Sequence, residues 1–216
     1  MNTTSRRVLS PLERMSEILF GLIMVMTFTG SISVAEHGRG EIRNVLISAL
    51  GCNLAWGVVD AGMYLMGRFT ERARDLIMLT AIHATNDRKE AHRLLDEVLP
   101  SIISRQADAE DLDRMHSWLR ARPVPPGNVT FTHMDWIGAL AVFLLVFLST
   151  FPVVIPFIVM SDATRALRVS NGIAIAMLFI IGHRLGRYMG HHPWRWGIGM
   201  VLIGVALVGI TIALGG

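Results

Sequence analysis

Two carboxylates stand in or directly beside apolar runs that are long enough to cross a membrane. Asp60 lies inside residues 45–66, and Glu17 directly precedes residues 18–34. A charge at the centre of a membrane helix costs roughly 2.5 to 3.5 kcal/mol on insertion scales, so it is expected to face other helices or a wet cavity. A carboxylate there binds either a proton or a hard cation. The two acids predict a cation path, although hydration of Asp60 or its pairing with Arg68 is a structural alternative.

Helical spacing places each acid on a helix face that also carries polar residues and a methionine. Residues three and four apart share a face, which predicts these neighbours for Asp60: Asn53, Trp56, Gly57, Met63 and Tyr64. Those predicted for Glu17 are Gly21, Met24, Phe28 and Ser31. Because the spans run antiparallel, both acids lie in the same half of the membrane, with Asp60 roughly 9 Å deeper than the inner end of its helix. The alternative for Glu17 is an ion pair with Arg14.

Thirteen methionines give the chain many soft side chains. Met24 in the first run and Met63 in the second could act as thioether ligands for a transition metal. The alternative for each is that it packs as a flexible apolar group.

The overall composition is that of a membrane protein. The 216 residues are 52% hydrophobic and 17% charged, with a mean hydropathy of +0.47. The single cysteine, Cys52, excludes an intrachain disulfide and a thiolate metal cluster. The basic residues follow membrane topology and form no dense patch, so nucleic-acid binding is not predicted.

Five spans are predicted, which makes the fold class an all-α integral membrane protein. The spans are residues 18–34, 45–66, 136–160, 166–182 and 194–214. Of the 20 basic residues, 16 lie in the N-terminal segment and in residues 67–135 and 183–195. These segments are therefore predicted to be cytosolic and the C-terminus to lie outside the cell (inner) membrane. A signal peptide is disfavoured for the first run because no convincing cleavage site follows it.

Residues 67–135 are predicted to form a cytosolic three-helix insert between a first segment, 1–66, and a last segment, 136–216. Its helices are predicted at residues 67–84, 87–105 and 109–121, with Asp108 as the N-cap of the third. The insert carries acidic candidates for metal binding: Glu71, Asp75, Glu90 and Glu97. A capping box starting at Asp87 is the alternative for Glu90. The sequence contains no HExxH, CxxC or DxDxDG pattern, so no dedicated metal motif is predicted.

The third and fifth spans carry signals of helix packing. Pro152 and Pro156 predict a kink, with Ser149 and Thr150 placed to bond carbonyl groups that the prolines leave free. The glycines of the fifth span predict a packing or dimerisation helix.

The third span also contains the run FPVVIPF, residues 151–157, after the three-helix insert. This run, the five spans and the insert together resemble the vacuolar iron transporter family over nearly the whole chain. The resemblance implies a homodimer that exchanges divalent iron, and in some members manganese, for protons. It also implies a metal path at Asp60 and Met63 with Met24, and glutamates of the insert that collect the ion. Where the family has an acid before a Gly-Leu pair, this chain has Phe20, with Glu17 one turn earlier.

These observations predict a transporter, not an enzyme, that exports iron(II) or manganese(II) from the cytosol in exchange for protons. Its expected partners are the lipid bilayer, the metal ion, protons and a second copy of the chain, without nucleic acid or a permanently bound cofactor. The alternative is a scaffold or sensor whose cytosolic helices bind a partner protein. An intramembrane enzyme that uses His183, His191 or His192 with Asp60 is least favoured, because no nucleophile-and-base pattern is present.

Overall fold

Every regular element that the structure describes is a helix. The computed structural model describes residues 8–32, 39–124 and 127–213, and no strand occurs among them. The helices are α1 (Pro11–Ile32), α2 (Arg39–Ala84), α3 (Arg88–Val98), α4 (Ser101–Ser104), α5 (Ala109–Arg120), α6 (His133–Ser149), α7 (Phe151–Val159), α8 (Ala163–Tyr188) and α9 (Pro193–Ala213). The predicted all-helical fold class is confirmed.

Four stretches within the described residues are long and apolar enough to cross a membrane. They are Leu46–Ala84, His133–Val159, Arg165–Tyr188 and Pro193–Ile210, and the second to fifth predicted spans fall on them. The first predicted span lies mostly on α1 and ends outside the described residues, so the count of five stays a prediction. The first stretch has 39 residues, roughly 58 Å of helix, which is about twice the thickness of a membrane core.

The chain divides into two compact units. The first comprises Met1–Tyr64 and His133–Gly216, and the second comprises Leu65–Thr132. α2 contributes to both, since it is one continuous helix. The second unit has borders close to those of the predicted insert, residues 67–135.

In the first unit, α1 is the helix around which the others pack. It contacts α6, α7, α8 and α9. Leu22 and Val25 on α1 are fully buried and share a core with Val153 of α7 and Leu178 of α8. Lipid tails are as apolar as leucine, so in a membrane such a core is stabilised by van der Waals packing and not by removal from water.

The predicted kink in the third span is confirmed as a break between α6 and α7. At the break, Thr150 N bonds the carbonyl oxygen of Phe147, three residues back, at 3.3 Å. The Ser149 hydroxyl donates to the Val146 carbonyl at 2.7 Å, and the Thr150 hydroxyl donates to the Phe147 carbonyl at 2.6 Å. These hydroxyls satisfy backbone groups where the helical pattern is interrupted.

Glycines let α8 and α9 approach each other closely. A Cβ at Gly182 would lie 2.7 Å from the Trp196 carbonyl oxygen, and one at Gly197 would lie 2.8 Å from the Phe179 ring. The turn between the helices contains Gly190 at φ 70°, a conformation that side chains with a Cβ rarely adopt. At Gly197, the glycine-rich last helix therefore packs within the chain.

The second unit has a small core of its own. Its buried side chains come from α2, α3 and α5: Ile82, Leu94, Leu95 and Leu112. The predicted N-cap Asp108 is confirmed, because its side chain accepts a hydrogen bond from Asp111 N at 2.8 Å and the reciprocal bond is present. Arg88 and His92 of α3 both bond Asp113 of α5, at 3.0 and 2.7 Å. The Arg88 guanidinium, then the His92 ring, hold the pKa of the Asp113 carboxyl below its usual range.

The predicted helix at residues 87–105 is wrong in its second half. α3 ends at Val98, and Leu99 is extended, with φ −71° and ψ 141°. A proline disfavours the helical conformation of the residue before it, which here is Leu99. Pro100 also has no N–H group to continue the helix. The short α4 follows separately. Val98 and Ile102, on either side of this break, are 51% and 73% exposed.

Candidate functional site

One face of α2 packs against the first unit and carries polar groups. Asn53 and Gly57 on this face are buried, and Asp60 and Tyr64 are half-buried. Their spacings of four, three and four residues keep them on one side of the helix. A Cβ at Gly57 would lie 3.2 Å from the Phe143 carbonyl oxygen, so the backbones of α2 and α6 approach each other at this level.

The Asp60 carboxylate has a shielded oxygen with no partner. Its Oδ2 is removed from solvent and accepts no hydrogen bond from any described residue. Arg68, the alternative partner, is bonded to Glu71 Oε2 at 2.8 Å. A buried charged acceptor without a partner is costly, and a proton or a cation removes that cost. Oδ2 is therefore a candidate contact for a cation.

Glu17 is half-buried on α1, and the negative charges of Asp60 and Glu13 both act on it. The fold thus brings the two predicted acids close enough to repel each other. Within the described part of the chain, Glu17 forms no ion pair with Arg14. Glu13, one turn earlier, is engaged in a capping box, since Ser10 N donates to Glu13 Oε2 at 2.6 Å and Glu13 N donates to Ser10 Oγ at 3.1 Å.

Asn53 connects α2 to α1. Its Nδ2 donates to the Gly21 carbonyl oxygen at 3.3 Å, and its fully buried side chain leaves Oδ1 without a partner among the described residues. Asn53 lies two turns from Asp60, roughly 10 Å along the helix axis. Two unpartnered acceptor oxygens therefore line one face of α2. The sequence placed Asn53 on this face but not among the ligands, although an amide inside an apolar run was a usable signal.

Two residues that were assigned to the polar face of α2 are exposed in the structure. Met63 is 58% exposed and Trp56 is also exposed, although its ring meets that of Phe20 edge to face at 5.7 Å. At about 100° per residue, Met63 lies roughly 90° from the middle of the buried face, because Asp60 is at that face's edge. Met24 on α1 is half-buried.

The predicted acids of the insert pair with arginines. Besides the Arg68–Glu71 pair, Glu90 bonds Arg93 at 2.6 Å, and Glu97 bonds Arg74 at 3.4 Å. Asp75 is exposed. No group of three or more His, Cys, Asp or Glu side chains suited to a metal ion occurs in the described residues.

The alternative of a cap at Asp87 is confirmed in part. The Asp87 side chain accepts a hydrogen bond from Lys89 N at 3.0 Å, at the start of α3. Glu90 is occupied with Arg93, and that pairing holds the pKa of the Glu90 carboxyl below its usual range. Asp87 is therefore explained by helix capping.

Residues 87–216 match a known protein family. A family model described as the VIT family matches residues 87–216, which is more than half of the chain. The match runs from α3 to the C-terminus, so α1 and α2 precede it. No individual curated protein matches the chain.

Proposed function

The chain belongs to the VIT family, a family of membrane metal-ion transporters and not of enzymes, and we propose that it exports iron(II) or manganese(II) from the cytosol in exchange for protons. It is an integral membrane protein, with four described stretches that could span a bilayer. The observation that carries the proposal is the shielded Oδ2 of Asp60, which has no partner in the described chain. A carboxylate in that position requires a positive charge, and a transported cation supplies it.

Charge balance explains how metal and protons would exchange at this place. Glu17 and Asp60 repel each other when both are ionised. A divalent cation between them removes the repulsion, and protons remove it when the cation has left. The two occupants therefore compete for the same carboxylates, which is the requirement for an antiporter.

The positions of the polar groups along the helices define the proposed path. From the cytosolic side, an ion would meet Glu17 first and then Asp60. Asn53 Oδ1 would follow, roughly 10 Å deeper on α2. The hydrogen bond of Asn53 to the Gly21 carbonyl keeps α1 and α2 in register along this path.

The proposed topology has α1 as a fifth span, the N-terminus and insert in the cytosol, and the C-terminus outside the cell (inner) membrane. The uneven distribution of the 20 basic residues supports it. We also propose a homodimer. Met63 would then join a metal site only where a second copy covers its exposed side chain. Met24 is half-buried on α1.

The acids of the insert are proposed as a weak collecting set for the ion. Glu71, Glu90 and Glu97 are held by exposed arginine pairs, and surface ion pairs of this kind contribute little to stability. A divalent cation could displace the arginines at little cost. Asp75 is exposed and would add a further carboxylate.

The test of the function is metal uptake into proteoliposomes that contain the purified chain. Iron(II) and manganese(II) are supplied separately, with and without an imposed proton gradient. Uptake that rises with the gradient, together with proton movement in the opposite direction, is the expected result. Metal uptake at the same rate with and without the proton gradient would contradict proton exchange. If the inserted protein took up neither ion, the proposed function would be wrong.

Glu17→Gln is expected to weaken metal capture from the cytosolic side. The substitution keeps the shape of the side chain but removes one of the two charges that would share the cation. We expect the KM for metal to rise on the order of tenfold, while the variant stays folded. The measurement is initial uptake rate against metal concentration.

Glu13→Gln is the matched control for this prediction. Glu13 lies one turn earlier on α1, and glutamine preserves a capping box with Ser10. Its KM should change far less than that of Glu17→Gln, because the charge of Glu13 acts on Glu17 from a distance and Glu13 would not contact the ion. Equal KM values for Glu17→Gln and the wild type would show that Glu17 does not contact the ion.

A scaffold or sensor role for the insert is the second candidate, and one observation favours it. Val98, Ile102 and Ile103 form an exposed apolar group where α3 ends and α4 begins, and such groups often bind proteins. The double substitution Ile102→Ser and Ile103→Ser separates the two candidates. If transport is primary, the variant retains metal uptake; if the chain is a scaffold, the variant loses a co-purifying protein and the wild type shows no uptake.

A further inference from the structure

Three arginines surround one open crevice between α1 and α8. Arg14 of α1 and Arg184, Arg187 and Tyr188 of α8 line it, and its volume is about 660 Å³. None of the three guanidinium groups forms an ion pair with a described residue. No acidic side chain is among the described residues that line the crevice. The crevice therefore carries an excess of positive charge.

The crevice lies at the end of a membrane-spanning stretch. The stretch Arg165–Tyr188 on α8 ends with the residues that line it. Arginine and tyrosine at the end of a span are typical of the level of the lipid headgroups, where their polar groups reach water and their apolar parts stay in the membrane. At this depth the abundant anions are lipid phosphates.

A second, apolar crevice adjoins the first. Its volume is about 680 Å³, and Arg14, Ile18 and Leu145 line both crevices. Leu144 and Leu148 continue the apolar lining along α6 beyond the basic end. A ligand that filled both crevices would carry negative charge at one end and a long apolar chain at the other.

We propose that the two crevices form a binding site for an anionic phospholipid. The phosphate of the headgroup lies among Arg14, Arg184 and Arg187, where guanidinium groups donate charge-assisted hydrogen bonds. An acyl chain follows the apolar lining of α6. The three arginines repel a metal cation, so this site is separate from the proposed metal path at Asp60. The bound lipid bridges α1 and α8, the two helices that meet at the centre of the first unit.

The test uses the full-length chain in detergent and native mass spectrometry to count bound lipids. Dioleoyl phosphatidylglycerol is compared with dioleoyl phosphatidylcholine, which has the same chains and no net charge. The wild type is expected to prefer the anionic lipid. The double variant Arg184→Gln and Arg187→Gln should bind it about 30-fold more weakly, because each arginine near an anionic surface contributes about a fivefold factor.

The control is the double variant Arg165→Gln and Arg168→Gln at the opposite end of α8. It removes the same charge from exposed positions outside the crevice, and it should bind phosphatidylglycerol as the wild type does. Equal binding of the two lipids, or equal weakening in both double variants, would overturn the proposal.

Two further outcomes distinguish other occupants. If inorganic phosphate displaces the lipid at equal concentration, the crevice is a free-anion site and the acyl chain has no part in it. If the Arg184→Gln and Arg187→Gln variant changes the dimer fraction while neither form carries lipid, a second copy of the chain occupies the crevice. Either result would also overturn the proposal, whereas a lipid adduct resistant to phosphate supports it.

Discussion

Asp60→Asn is expected to abolish proton-driven metal uptake while the protein remains folded and inserted. Asparagine has nearly the same shape as aspartate, but it neither carries the charge that balances a cation nor takes up a proton at neutral pH. Removing one partner of a buried charge pair costs roughly 3 to 5 kcal/mol, which corresponds to a rate loss of about 100-fold or more. In the wild type, no described residue donates a hydrogen bond to the shielded Oδ2 of Asp60, so this oxygen is available to a cation or a proton.

The measurement is uptake of iron(II) and manganese(II) into proteoliposomes, with equal amounts of inserted protein. Glu110→Gln serves as the control, because Glu110 is an exposed acid of α5. It should transport as the wild type does. A wild-type rate for Asp60→Asn would refute the proposed path, and an equal loss in both variants would show that total charge matters more than position.

Gly21→Ala is expected to destabilise the first unit and to reduce transport with it. A Cβ at Gly21 would collide with the Ser149 hydroxyl and lie 2.6 Å from the Val146 carbonyl oxygen. A backbone oxygen inside a helix has little freedom to move, so α1 and α6 must separate. Such overpacking costs roughly 1 to 3 kcal/mol. The displacement also acts on the Gly21 carbonyl, which accepts the hydrogen bond from Asn53.

The Tm in detergent should fall by about 2 to 10 °C for Gly21→Ala. The matched control is Gly51→Ala on α2, because a Cβ at Gly51 would meet nothing within 4 Å. Alanine favours the helix more than glycine does, so the control should keep or slightly raise the Tm. An unchanged Tm for Gly21→Ala would mean that α1 and α6 approach each other less closely than described.

The central position of α1 could not be read from the sequence. Asp60 marks the second run as chemically distinctive, yet it is α1 that packs against α6, α7, α8 and α9. Apolar residues surround α1 on several sides, and a helix of this kind has no single apolar stripe that points to one neighbour. In a membrane the lipid is apolar as well, so hydropathy does not separate a central helix from a peripheral one.

The insert illustrates where local rules succeed and where they fail. Asp108 was predicted as an N-cap because capping depends on residues three positions apart, and the structure confirms it. The helix predicted at residues 87–105 is interrupted by Pro100, whose effect on Leu99 is equally local. The pairing of Glu97 with Arg74, 23 positions away, is set by the packing of the second unit and had no sequence signal.

The sequence by itself determined the all-helical fold class, the apolar spans on α2, α6–α7, α8 and α9, and the two acids that could bind a cation or a proton. Those features depend on hydropathy and on residues within a few positions of each other. Only the tertiary structure decided that Asp60 Oδ2 has no described partner, that Asn53 bonds the Gly21 carbonyl, and that Met63 is exposed. A helical projection says which residues share a face, but the packing of separate helices decides what that face meets.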